Sequence, residues 1–269
     1  MVAPRVSAAL LRRQGAGYGP LALMYHAVER MRGTPRWRWS VSLERFRQHL
    51  DLLQEAGYRT LRVADLDGSV DQCGPCVLIT FDDGYADNYA AFQELSRRGM
   101  VGTWFVVTRA IGGHADWLED QGERRALLTA EQLREMAAAG MEVGAHGRRH
   151  LRLAALPPEE LRSEVRGSRE DLENLLSRPV TSFAYPYGSH DDAAVAAVSE
   201  AGYTAACTVR PGWIRPDGRQ PLALPRLEIG PGVGSGELAR MLTLGTSDGS
   251  WLALGRYFGR RLTARFTGR

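Results

Sequence analysis

The 269-residue sequence predicts an α/β protein built on a parallel sheet, open or closed into a barrel, and three observations lead there. Short apolar runs rich in Val, Ile, Phe and Tyr alternate with amphipathic stretches of helical period. The junctions recur: EAGY at 55–58, RRGM at 97–100, AAGM at 138–141 and EAGY at 200–203 each place glycine just past a helical stretch and an apolar residue after it. That is the pattern of a glycine ending a helix in a left-handed turn before the next strand. Gly57, Gly99 and Gly140 are spaced by 42 and 41 residues, the length of one strand–helix unit with its loops. Finally, the residues with chemical potential fall just after predicted strands, on the rim where parallel α/β folds build their sites.

In chain order, strands are expected at Leu21–Tyr25, Val77–Phe81, Val101–Val107, Met141–Ala145, Val180–Tyr185, Tyr203–Val209 and Ala223–Ile229. Each is an apolar run too short for a helix. Amphipathic helices are expected at Leu43–Ala56, Asp87–Arg98, Ala130–Ala139, Glu159–Leu176 and Asp192–Ala201, with Thr129 and Gln132 at the spacing of a capping box.

Composition removes several function classes. Apolar residues make up 44%, enough for a sizeable core. The net charge of +3 gives no reason to expect a nucleic-acid partner. All 34 basic residues are Arg, so Schiff-base lysine, the phosphate-loop GK[ST] and the kinase strand lysine are all excluded. The apolar stretch at Ala8–Leu11 is too short for a secretory signal, and no run approaches a membrane span. Three cysteines cannot form a fully paired framework, which points to a cytoplasmic home.

Two segments stand out. Thr80-Phe81-Asp82-Asp83-Gly84 follows the second strand. Adjacent carboxylates at a strand end point in different directions, so one can ligate a metal while the other serves as a base; the competing reading is an N-cap for the helix near Asp87. His146-Gly-Arg-Arg-His150 follows the Met141–Ala145 strand, and its i, i+4 spacing would set both imidazoles on one helical face, close enough for one cation. His26 and Tyr187 also follow predicted strands, so four candidates share one rim.

The order YH…TFDDG…HxxxH…FAYPYG…LPR resembles the polysaccharide deacetylases, the NodB-homology group of carbohydrate esterase family four, over roughly residues 21–230. The resemblance is nearest to the branch acting on poly-N-acetylglucosamine. It implies a distorted (β/α) barrel, TIM-barrel-like, with a metal at its C-terminal rim. Asp83, His146 and His150 match the family's metal ligands, Asp82 its catalytic base, and Tyr187 the position of its backbone oxyanion donor. One carboxylate and two imidazoles suit Zn2+ in an open site, although Co2+, Ni2+ or Fe2+ would accept the same set. Metal-activated water with Asp82 as base would then hydrolyse an acetamide.

The sequence departs from the better-known branch in two places. Ala184 stands where that branch has arginine, and Leu224-Pro225-Arg226 replaces its late histidine motif. Of the six histidines, His49 is expected on a helix surface, His114 and His190 in loops or at a helix start, and only His26 at a strand end on the correct rim. His26 is therefore the expected general acid, against a hydrogen-bonded structural role. Arg226 is expected to orient Asp82, against a salt-bridged surface arginine.

Other signals carry less. Cys73-Gly-Pro-Cys76 reads like a redox motif but leads into a strand rather than a helix; a reversible local disulfide stays open, and Cys207 is expected to be buried. Trp37, Trp39 and Trp213 lie in loops within reach of the rim, and Asp116-Trp117 in a 109–128 loop long enough to be a rim insertion. The chain divides into an N-terminal arm (1–20), a catalytic domain (21–245) and a basic tail (246–269). In the tail, Leu254, Phe258, Leu262 and Phe266 recur every four positions among arginines, a stripe suited either to an anionic membrane surface or to packing on the barrel. The expected activity is metal-dependent deacetylation of an N-acetylated carbohydrate or glycolipid. The alternatives are cyclic amide or imide hydrolysis and carbohydrate binding without catalysis.

Overall fold

The computed structural model describes residues 19–66, 75–121, 124–215 and 220–257. Among the described residues, ten short strands, β1 Leu21–Tyr25, β2 Ala27–Glu29, β3 Ser40–Ser42, β4 Arg59–Leu61, β5 Cys76–Phe81, β6 Thr103–Val106, β7 Glu142–Ala145, β8 Ser182–Ala184, β9 Ala205–Cys207 and β10 Leu227–Glu228, alternate with six helices, and a helical stretch at 251–257 follows them. The helices, in chain order, are α1 Leu43–Glu55, α2 Asn88–Arg97, α3 Ala130–Ala138, α4 Pro158–Leu176, α5 Asp192–Glu200 and α6 Ser235–Leu244.

Every strand pairing is parallel, in the order β10-β1-β5-β6-β7-β8-β9. One edge of β5 is shared: β4 pairs with residues 76–78 and β6 with residues 80–81. The sheet therefore curls without the regular stagger of an ideal barrel. Its ends meet through 224–226, where Thr208 N–H donates to the Leu224 carbonyl at 2.8 Å and Arg226 N–H to the Arg210 carbonyl at 2.9 Å. This is a distorted (β/α) barrel.

Strand alternation fills it from both sides. Leu21, Leu23 and Tyr25 of β1, and Val77, Ile79 and Phe81 of β5, pack outward against the helices. Ala22, Leu78, Phe105, Ala184 and Cys207 form a second cluster inside the ring. The inward register continues upward from Ala22 and Leu78 through Met24 and Thr80, and the next residues in step are His26 and Asp82. On β7 the register of Gly144 reaches His146 in the same way. The barrel's own period thus delivers three site residues to one opening.

Several expected strands are trimmed at both ends because only their central residues find partners: Val101–Val107 becomes Thr103–Val106, and Tyr203–Val209 becomes Ala205–Cys207. Ala223–Ile229 shortens to β10, preceded by a 3-10 turn at Pro221–Ala223. Gly57, Gly99, Gly140 and Gly202 all have φ between +65° and +89°, as helix-ending glycines should. The capping box of Thr129 and Gln132 is present. The two-stranded β2–β3 sheet, β4 and α6 were not expected, since three-residue strands carry no periodic signal.

His49 corrects an expectation. It is wholly buried on α1, not on its surface. Its Nε2–H donates to the Val233 carbonyl at 2.8 Å, which leaves Nδ1 to accept from the Tyr25 hydroxyl at 3.0 Å. Burial holds this ring neutral, with its pKa lowered to about 4. The N-terminal arm up to residue 18, Cys73, and the tail beyond 257 lie outside the described residues; Cys76 is buried at the start of β5, and Cys207 is buried too.

Candidate active site

The site sits at the C-terminal rim, in a cleft of about 290 Å³. Asp82 and Asp83 leave β5 in different directions, as adjacent residues at a strand end must. Neither caps α2: the N-cap is Asp87, whose carboxylate instead accepts the Val28 N–H at 3.1 Å. Asp83 adopts φ 70°, and Gly84 follows at φ 79°, where a Cβ would come within 2.9 Å of Val106. The turn therefore requires glycine at that step.

His146 and His150 are not on a helix. His146 ends the β7 register, and the chain then turns through Gly147 and returns His150 at φ 60°. Among the described residues, five non-glycine positions have positive φ, and three of them, Asp83, His150 and Tyr187, line this cleft. Strain of that kind persists where the surroundings over-determine it, and it clusters at functional sites.

Asp83 Oδ1 lies 3.3 Å from His146 Nε2 and 3.2 Å from His150 Nε2, in orientations that leave this buried oxygen without a hydrogen bond. Two ligands about 2.1 Å from one tetrahedral ion would stand roughly 3.4 Å apart. The spacing is therefore that of ligands awaiting a common cation, and all three ligand atoms lie within 4.8 Å of one another. The donors are also prepared. Burial opposes the Asp83 charge, but the two imidazoles overcome it and hold the carboxyl well below its usual range. His150 is lowered by burial, which keeps it neutral. His146 Nδ1–H donates to the Ala184 carbonyl at 2.8 Å, which turns Nε2 toward the cleft; burial opposes the charge on this ring, but Asp83 and Asp82 outweigh it and raise its pKa. The residues fit a divalent ion.

Asp82 is employed differently. Arg226, fully buried, reaches across the ring and donates from Nη1 and Nη2 to the two Asp82 oxygens at 2.6 and 2.7 Å. Its Nε is fixed on the Thr208 carbonyl at 2.9 Å, and Nη1 also meets the Thr80 hydroxyl at 3.1 Å. Burial raises the Asp82 pKa, yet Arg226, with His146 and His26, outweighs it and leaves the carboxyl below its usual range. The surface-arginine reading of Arg226 is thus excluded by its burial. Ala184, where the better-known branch has arginine, lies in the same ring and is fully buried.

His26 also lines the cleft, its ring 4.6 Å from Trp39. Burial lowers its pKa against the pull of Asp83 and Asp82. Tyr187 is 44% exposed, with its ring 4.4 Å from His150. Trp117, from the 109–128 insertion, covers the other side of the His150 neighbourhood at 4.6 Å. Trp37 and Trp39 reach the cleft, but Trp213 packs beside the outer core instead. His114 pairs with Ala126 in the insertion, and His190 stacks on Tyr185.

The sequence did not disclose the support for the histidine loop. Glu164, buried on α4, accepts the backbone N–H groups of Arg148 and Arg149 at 3.0 and 2.9 Å. Arg148 is forked onto Asp171 at 2.9 and 3.0 Å. Its stem crosses α4 at Gly167, where a Cβ would come within 2.7 Å. The only prior signal was a glycine inside a helical run, and that does not name its partner.

Comparisons with known proteins give the family and the fold. The family model described as polysaccharide deacetylase matches residues 69–206. YxkH of Bacillus subtilis (strain 168) is 32% identical over 216 residues, covering 78% of this chain and 71% of that protein. Among solved structures, the Streptococcus pyogenes deacetylase PplD in complex with acetate superposes with a TM-score of 0.72 at 25% identity, covering 84% of this chain and 99% of that one. IcaB from Ammonifex degensii gives 0.72 at 26% identity, over 84% and 98%.

Proposed function

This chain belongs to the polysaccharide deacetylase family, and on that premise we propose that it is a metal-dependent N-deacetylase, releasing acetate and a free amine from an N-acetylated sugar. The observation that carries the proposal is the division of labour between Asp82 and Asp83. One is clamped ionised by a buried guanidinium, and the other faces two imidazoles at ligand spacing, in the same cleft. A binding protein needs neither arrangement.

Asp83, His146 and His150 would hold the ion, Zn2+ first among the candidates, and when bound it supplies Lewis acidity and a nucleophilic water at neutral pH. Asp82, whose two oxygens Arg226 holds in place, takes the proton of the attacking water. The Tyr187 backbone N–H donates to the developing oxyanion. His26 is the general acid for the departing amine. Its lowered pKa keeps it neutral at rest, so the proton it passes to the amine is the one Asp82 has taken from the attacking water. Trp39, tilted against the His26 ring, and Trp117 offer apolar faces to a sugar ring.

A glycolipid substrate is part of the same reading. Among the described residues no helix is long and apolar enough to cross a membrane. Trp251 and Leu252, however, open the helical stretch 251–257 at 62% and 63% exposure and supply apolar surface for peripheral contact.

The test is acetate release from N-acetylglucosamine oligomers and glycolipids, with and without chelator. The expected result is turnover that chelation removes and a divalent ion restores, while Asp83→Ala neither binds the ion nor turns over. Turnover of a cyclic imide without acetate release, or undiminished turnover after complete metal removal, would overturn the reading.

A further inference from the structure

The charges lining the cleft answer one another with one exception. Asp82 is matched by Arg226, Asp83 faces the two imidazoles, and Glu228 is paired with Arg38 at 3.3 Å. Arg152 also lines the cleft, and it has no carboxylate and no hydrogen-bond acceptor among the described residues. Arg152 is exposed, but its head group is seated. Its guanidinium carbon stands 4.2 Å over the Tyr187 ring. Its backbone is set two residues beyond His150 and immediately before Leu153, which is fully buried and opens a 3-10 turn. A guanidinium held over an aromatic face by its central carbon can still donate from its N–H groups, which form a fork matched to phosphate or carboxylate oxygens.

We propose that Arg152 is a specificity residue that binds an anionic group, a phosphate or a carboxylate, carried by the N-acetylated sugar. The proposal rests on the deacetylase reading and narrows its substrate class. Tyr187 separates Arg152 from His150 by one aromatic ring, which places the cation beside a sugar whose acetamide lies at the ligand set. With a divalent ion bound, the cleft carries an excess of positive charge, since the Asp82–Arg226 and Glu228–Arg38 pairs are already neutral. A neutral N-acetylglucosamine chain presents only hydroxyls and amides and leaves this excess unanswered. An anionic sugar answers it.

The experiment uses the metal-loaded full chain and three probes: an N-acetylglucosamine trisaccharide, its 6-O-phosphate and its 6-carboxylate. Both kcat/KM for acetate release and Kd by calorimetry are measured at low and high salt. The expected result is a preference of about 10- to 100-fold for at least one anionic probe, expressed in KM and Kd and shrinking with salt. Arg152→Gln should bring the ratio of anionic to neutral substrate close to one, and Arg152→Lys should keep part of it. The relative size for phosphate and carboxylate identifies the natural substituent. Equal constants for neutral and anionic probes in the wild type would overturn the proposal. So would an Arg152→Gln loss that is the same for all three, since that would make Arg152 only a prop for Tyr187. Absence of acetate from every probe would defeat the deacetylase reading instead, and the Kd ratios would still decide the role of Arg152.

Discussion

Removing the guanidinium of Arg226 isolates the charge on Asp82, and the size of the effect follows from the geometry. The carboxylate and the guanidinium are joined at 2.6 and 2.7 Å inside the ring. With charge centres about 4 Å apart and an effective dielectric near 20, their attraction is about 4 kcal/mol. Burial, which opposes the Asp82 charge, remains in Arg226→Met, so the carboxyl moves from below its ordinary range to above it. The wild-type carboxyl contributes stability above its unfolded pKa, near 3.9, and loses it as the pH falls through the lower folded value. In the variant the sign reverses, and ionised Asp82 destabilises the fold at neutral pH. Arg226→Met should therefore lose about 3–5 kcal/mol at pH 7, a melting-temperature drop of roughly 10 °C that closes on acidification. The acid limb of kcat/KM should move to higher pH. The carboxyl 13C shift of Asp82 follows the same titration without depending on activity. Arg226→Lys, which keeps charge but not the fork, should fall between. A folded Arg226→Met protein whose acid limb and Asp82 titration stay in place would refute the reasoning.

Three further outcomes are expected. His26→Gln should retain the divalent ion and its melting temperature while kcat falls roughly 10²- to 10⁴-fold; near-normal turnover would make His26 structural. Glu164→Ala removes the acceptor for two backbone N–H groups of the histidine loop, so metal affinity measured by chelator competition should weaken about 10- to 100-fold. Unchanged affinity would show that the loop holds itself. Glu94 of α2 is opposed by burial but held down to about 2 by Arg98, Arg47 and Arg97. Its contribution is present above about pH 4.5 and lost as the pH falls toward 2. Thermal melts between pH 5 and 2.5 should be steeper for the wild type than for Glu94→Gln; parallel curves would remove Glu94 from the acid response.

The rim was legible because barrel period and helix-ending glycines are local signals. Asp82, Asp83, His146 and His150 each follow a recognisable strand, and the structure gathers them. The Asp82–Arg226 contact was anticipated only as one of two readings, because the sequence does not say that 224–226 closes the ring. The histidine pair misled in a different way. An i, i+4 spacing suggests a helical face, whereas here the same proximity comes from a left-handed turn after a strand. His49 failed because a polar residue on an amphipathic helix is normally solvent-facing, and its partners, Tyr25 and Val233, are distant in sequence. Glu164 and Asp171 gave no signal at all, since acidic residues on α4 look like ordinary solvated positions until the loop lies across them.

The ring-closing strand sets a timetable for synthesis. Asp82 leaves the ribosome 144 residues before the arginine that answers it. At about 5–20 residues per second, that is an interval of roughly 7–29 s. During it a nascent chain can pair β1 with β5 and pack α1 and α2, but the carboxylate inside the forming ring has no counter-ion and the ring has no last stave. Until that last stave arrives, water is what remains to solvate the Asp82 carboxylate.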